Sequence, residues 1–127
     1  MRIMVDSNVI ISAVYSTKSK PADVLSNVCE NHDLVLCDQI ITECYDVVER
    51  KFPQHLQYLD KLFMSLGYEF IVTPRTGLVM TDPKDSPILN AAILADVDII
   101  VSGDGHFLSL DIERPKIFAP AQYLEMY

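Results

Sequence analysis

Basic residues are scarce in this chain, with 10 Lys and Arg against 18 Asp and Glu and a net charge of −8. So acidic a mean field repels phosphate and excludes a generic binder of DNA, RNA or anionic membrane. Nucleic acid would need a local basic patch or a bound cation. Cysteine is also sparse: Cys29, Cys37 and Cys44 form an odd set with no C-x-x-C pair. That excludes a disulfide framework and a zinc site of the usual spacing. All three lie in or beside apolar runs, so buried, reduced thiols of a cytoplasmic protein are expected. No apolar run approaches the roughly 20 residues of a membrane helix. Asp6, Ser7 and Asn8 interrupt the first apolar stretch too early for a signal-peptide core. The expectation is a soluble chain with no membrane partner. No repeat, low-complexity tract or linker divides the 127 residues, which suit one domain over 1–127. Hydrophobic residues, at 50%, are plentiful enough for a sizeable core.

The apolar residues alternate between two kinds of segment. Ile3-Met4-Val5 is a short continuous run, as in a strand buried on both faces; Leu34-Val35-Leu36-Cys37 and Phe70-Ile71-Val72 read as the second and third strands, and Ile99-Ile100-Val101, again apolar throughout, as the fourth. Helical stretches separate them: Asn8 to about Tyr15, Pro21 to Asn31, a stripe of Ile40, Cys44, Val47 and Val48 capped by Asp38, and a helix from Leu56 stopped by Gly67. Thr73 to Pro83 reads as a loop, and Ser86-Pro87 opens a helix through Ala95. A short helix (His106 to Leu110), a strand (Ile117-Phe118) and a terminal helix close the chain. Strands alternating with helices imply β-α-β crossovers. The fold class expected is α/β, a three-layer α/β/α sandwich with a mainly parallel central sheet. Such sheets bind ligands outside the carboxyl ends of their strands.

Acids collect at that edge. Asp6 follows the first strand and Asp104, in Ser102-Gly103-Asp104, follows the fourth. Each also suits capping the next helix. Asp85 precedes the Ser86-Pro87 helix, where an acid compensates the dipole. Asp82, in the same loop, suits a turn. Glu43 borders an apolar stripe and needs a partner against desolvation, either Arg50 or Lys51 or a metal ion. If Asp6, Glu43, Asp85 and Asp104 converge, their repulsion raises some pKa values and a divalent cation relieves it. All-oxygen ligation favours Mg²⁺ or Mn²⁺. Such a site suits phosphodiester hydrolysis, with the cation screening the acids from the nucleic-acid backbone.

These strings together resemble the PIN-domain family. Ile3-Met4-Val5-Asp6-Ser7-Asn8 is similar to its opening strand and Asp-[Thr/Ser]-Asn. Glu43 in Ile41-Thr42-Glu43-Cys44 resembles its second acid, and Asp85-Ser86-Pro87, with Asp82-Pro83 ahead of it, its third. Val101-Ser102-Gly103-Asp104, followed by Phe107-Leu108, resembles its [Thr/Ser]-Gly-Asp. The closing Ile117-Phe118-Ala119-Pro120-Ala121-Gln122-Tyr123-Leu124 is similar to the end of the toxin-like (VapC-type) branch. The resemblance implies a Mg²⁺- or Mn²⁺-dependent endoribonuclease acting on RNA, the toxin of a toxin–antitoxin pair, with a small antitoxin partner and a homodimeric state. By position, Asp6, Glu43, Asp85 and Asp104 would be catalytic and hold the metal. Asn8 and Ser102 would orient them. Gly105-His106 departs from the acidic or bulkier residue many members carry after the last Asp. His106 is open between substrate contact and a surface or capping role, and His32 and His55 receive none. Lys18, Lys20, Arg50, Lys51 and Lys84 are candidate RNA contacts or plain solvated charges. Tyr15 is open between stacking on a base and a core or interface role.

Other readings remain. A deoxyribonuclease or flap-type nuclease is a near neighbour. A PIN-fold module without catalysis, binding RNA or a protein, is the rival of another class, although four acids kept together argue for catalysis. A haloacid-dehalogenase-type phosphatase wants Asp-x-Asp after strand one, where Asn8 stands instead. A receiver's paired acids and later Lys are also missing.

Overall fold

The computed structural model of the chain describes residues 1–74 and 86–127. The first strand, β1, is Arg2–Val5, followed by helices α1 (Ser7–Tyr15) and α2 (Lys20–Asn31). Strand β2 (Asp33–Cys37), helix α3 (Asp38–Lys51), a 3₁₀ turn (Pro53–His55), helix α4 (Leu56–Ser65) and strand β3 (Glu69–Ile71) come next. Helix α5 (Ser86–Leu94), strand β4 (Ile99–Val101), helix α6 (Gly105–Leu108), strand β5 (Lys116–Phe118) and helix α7 (Pro120–Met126) complete it. The five strands form one parallel sheet in the order β3-β2-β1-β4-β5.

Ile3, Met4 and Val5 of β1 and Ile99, Ile100 and Val101 of β4 are all buried. Successive side chains point to opposite faces, so burial of every one means both faces are covered. The expected α/β/α sandwich is therefore what forms. The chain goes from β1 outward to β2 and β3, then jumps back to the other side of β1 for β4. The reversal point lies between β1 and β4, and their carboxyl ends open the crevice where such sheets bind ligands. Met4 pairs with Ile100 and Val5 with Val101, so the two strands end level with each other.

Three local expectations are corrected. Asp38 does not cap α3: Cys37 holds the cap position and Asp38 is the first helical residue. Its Oδ1 instead accepts the backbone N–H of Thr73 at 2.6 Å and the Thr73 hydroxyl, tying the end of β3 to the start of α3. Gly67 does not end α4, because Leu66 already turns extended (φ −74°, ψ 129°) and no glycine among the described residues has a positive φ. Cys29 is exposed, since it follows buried Val28 and falls on the outer side of α2, while Cys37 and Cys44 are buried. All three thiols are free, as expected.

No helix among the described residues is long and apolar enough to cross a membrane.

Candidate active site

Asp6 ends β1 and caps α1, and is only 4% exposed. Its Oδ1 accepts the Ser7 N–H at 2.8 Å. Its Oδ2 accepts the Ser102 hydroxyl at 2.8 Å and Asn8 Nδ2 at 3.2 Å. Ser102, fully buried just past β4, also accepts the Asp104 N–H at 3.0 Å through the same Oγ. Asn8 Oδ1 accepts the Gly103 N–H at 3.1 Å. A Cβ on Gly103 would approach that oxygen to 3.6 Å, an ordinary contact. Two residues after β1 and three after β4 are thus stitched together across the reversal point. The expected supporting residues, Asn8 and Ser102, are the ones in the seam.

Asp104 caps α6, its Oδ1 accepting the His106 N–H at 2.9 Å. Capping therefore coexists with position at the site edge. The capping contact of His106 is through its backbone, and its residue is exposed.

Glu43 sits in the second turn of α3, half-buried. Its Oε2 accepts the Ser7 hydroxyl at 2.7 Å and its Oε1 accepts Gln39 Nε2 at 3.1 Å. This corrects the pairing with Arg50 or Lys51. Those side chains lie two turns further along the helix, whereas Gln39, four residues back, is a true neighbour. Ser7 and Gln39 had been given no role from sequence. The i, i+4 spacing of Gln39 and Glu43 was a readable signal; the bridging by Ser7 depends on how α1 packs on α3.

Asp6 feels the cluster. Its pKa rises from 3.8 to about 6, first because burial disfavours the charge, then because Glu43 and Asp104 repel it; bonds from Ser102 and Ser7 partly oppose the rise. Beneath it, burial pushes the Cys44 thiol well above its ordinary value, so it stays protonated. Asp85, the fourth expected acid, lies outside the described residues, as do Asp82 and Lys84. Among the described residues no group of three His, Cys, Asp or Glu is arranged to hold a metal by itself. The donors that are described fit a hard divalent cation in kind: all are oxygens, and the raised pKa of Asp6 is the penalty such a cation removes.

Replacing Ser102 with Ala should cost about 2 kcal/mol in urea denaturation, because it leaves the Asp104 N–H and one bond to buried Asp6 unmade.

The PIN domain family model matches residues 2–106. No curated protein matches the chain by sequence. Among solved structures, a chain of VapBC2 from Rickettsia felis, bound to a DNA fragment from its promoter, superposes with a TM-score of 0.68. The two are 18% identical, over 94% of this chain and 98% of that one, a likeness of fold.

Proposed function

Because this chain belongs to the PIN domain family, we propose that it is a divalent-metal-dependent endoribonuclease, acting as a single domain over 1–127. The observation that carries the reading is the seam at the carboxyl ends of β1 and β4. It holds Asp6 in a buried, repelled state beside Glu43 and Asp104. The described bonds of Asp6 and Glu43 come from hydroxyl, amide and backbone donors. A neutral donor orients a carboxylate without cancelling its charge, which suits a group waiting for a metal.

In this reading Asp6, Glu43 and Asp104, joined by Asp85, hold Mg²⁺ or Mn²⁺, which supplies an activated water and charge stabilisation for phosphodiester hydrolysis. Ser102 and Asn8 keep Asp6 oriented, Ser7 spaces Asp6 from Glu43, and Gln39 fixes the outer oxygen of Glu43. The likeness to a VapBC2 chain supports a further step: the protein acts as the toxin of a toxin–antitoxin pair, with a small protein partner; a homodimeric state is what the family resemblance implies.

The test is cleavage of labelled single-stranded RNA and DNA oligonucleotides with Mg²⁺, with Mn²⁺ and with EDTA, beside Asp104→Asn. Asn keeps the oxygen that caps α6 but removes the charge. The expected result is RNA cleavage that EDTA abolishes and the variant loses by on the order of 100-fold or more. Folded protein that cleaves nothing under either metal overturns the reading in favour of a binding module.

A further inference from the structure

A pocket of about 670 Å³ opens between the end of α1 and α4, away from the acids. Its lining includes Tyr15, His55, Tyr58 and Lys61. The rings form a run: Tyr15 lies 5.9 Å from His55, and His55 lies 5.6 Å from Tyr58. Tyr15 and Tyr58 are 62% and 60% exposed, unusual for large rings with no covering element. His55 Nδ1 is buried and makes no hydrogen bond among the described residues. No carboxylate lines the pocket among the described residues.

Among the described lining residues the charged group is a cation, Lys61. It is exposed and, among the described residues, forms no ion pair. By contrast Arg2 pairs with Glu69, and Arg114 with Asp96 and Asp98.

A path joins the pocket to the acids. Asn8, Ser12 and Tyr15 recur at helical spacing on α1, and their exposure grows along it from half-buried to exposed. Asn8 is in the seam with Asp6 and Gly103. Tyr15 is seven residues on, about 10 Å along the axis, the span of a few nucleotides.

We propose that this pocket is a base-stacking subsite for single-stranded RNA. A base leaves the strand to lie against Tyr15 or Tyr58, and Lys61 holds its phosphate. Aromatic platforms beside cations are the general device for holding unpaired strands. The proposal rests on the ribonuclease reading and identifies where its substrate is gripped. The stripe from half-buried Asn8 through exposed Ser12 to Tyr15 favours a strand shared with the acids over a separate peptide.

The test uses Tyr58→Leu and Lys61→Gln, both exposed positions on α4, in the full chain. First, binding of a labelled single-stranded RNA decamer is measured by fluorescence anisotropy in the Asp104→Asn background with Mg²⁺. Tyr58→Leu should weaken binding about 10-fold or more, and Lys61→Gln should weaken it and reduce its salt dependence. Second, in the active chain, kcat/KM on the decamer should fall by a similar factor while cleavage of a dinucleotide, too short to reach the pocket, is unchanged. RNA binding and cleavage that match the parent protein in both variants overturn the subsite but leave the nuclease reading intact. If those variants instead lose a co-expressed partner protein, the pocket is a peptide dock and the subsite is overturned. An active-chain control that neither binds nor cleaves RNA overturns both.

Discussion

The Asp6→Asn protein should fold, be more stable than the parent at pH 7.5 without divalent cation, and, in the nuclease reading, cleave RNA at least about 100-fold more slowly. The stability gain follows from the sign of the pKa shift. An acid whose pKa is raised on folding destabilises the fold whenever it is ionised. That penalty is fully present above the folded value of about 6 and vanishes below the ordinary 3.8. The rise corresponds to about 3 kcal/mol at neutral pH. Asn removes it, but turns an amide toward Asn8 Nδ2, now a donor facing a donor, which offsets about 1 kcal/mol. The net expectation is about 2 kcal/mol at pH 7.5, shrinking to nothing or reversing as pH falls through 6 toward 4. Other acids work in the opposite direction. Asp98 is held low chiefly by the Arg2 N–H and Asp38 by the bonds from Thr73, so both lose stability on acidification. Comparing the two proteins by urea denaturation at each pH cancels those contributions. Millimolar Mg²⁺ or Mn²⁺ should stabilise the parent at pH 7.5 and leave the variant unmoved. Cleavage surviving in Asp6→Asn, or a stability difference flat with pH, would sink the assignment.

Tyr123→Ala should cost about 3–5 kcal/mol in urea denaturation. Tyr123 is the largest side chain that is fully buried, and it belongs to a helix of only 7 residues. Its hydroxyl donates to Asn27 Oδ1 at 2.6 Å, joining α7 to α2, and its ring stacks on Tyr127 at 5.2 Å. Burial pushes the phenol up to about 12, so it remains a neutral donor at every working pH. Removing the ring leaves a cavity between α7 and α2. Tyr123→Phe isolates the hydroxyl and should cost only about 1 kcal/mol, because half-buried Asn27 can take water instead. Equal losses in the two variants would mean the hydrogen bond, not the ring, anchors the helix. The family match ends at residue 106, yet β5 pairs with β4 and Ser102 N–H bonds Phe118 O at 3.0 Å. The last twenty residues therefore support the seam directly.

The central strands β1, β2 and β4 were legible because burial on both faces leaves unbroken apolar runs, whereas the edge strand β3 leaves Phe70 exposed. Ile99-Ile100-Val101 is read and observed with the same bounds. Asp6, Asn8, Ser102 and Asp104 were legible because they adjoin two such runs. What escaped depends on contacts between elements. Asp38 has the chemistry of a cap, and only the approach of Thr73 diverts it. Glu43 was legible as an acid in need of a partner, but not that the uncharged Ser7 and Gln39, rather than Arg50 or Lys51, are the side chains within reach. His55 had no sequence constellation at all: its ring neighbours come from α1, the end of α3 and α4.

The placement of β1 in the middle of the sheet has a consequence for biosynthesis. This strand emerges from the ribosome first, yet one of its two neighbours, β4, begins at Ile99. Until that strand follows, Asp6 has neither Val101 to bond nor Ser102 to orient it. At about 5–20 residues per second the interval is about 5–20 s. A nascent chain thus carries Asp6 through the RNA-rich surroundings of the ribosome with its seam unbuilt, and in the nuclease reading the acids are assembled only once β4 has followed.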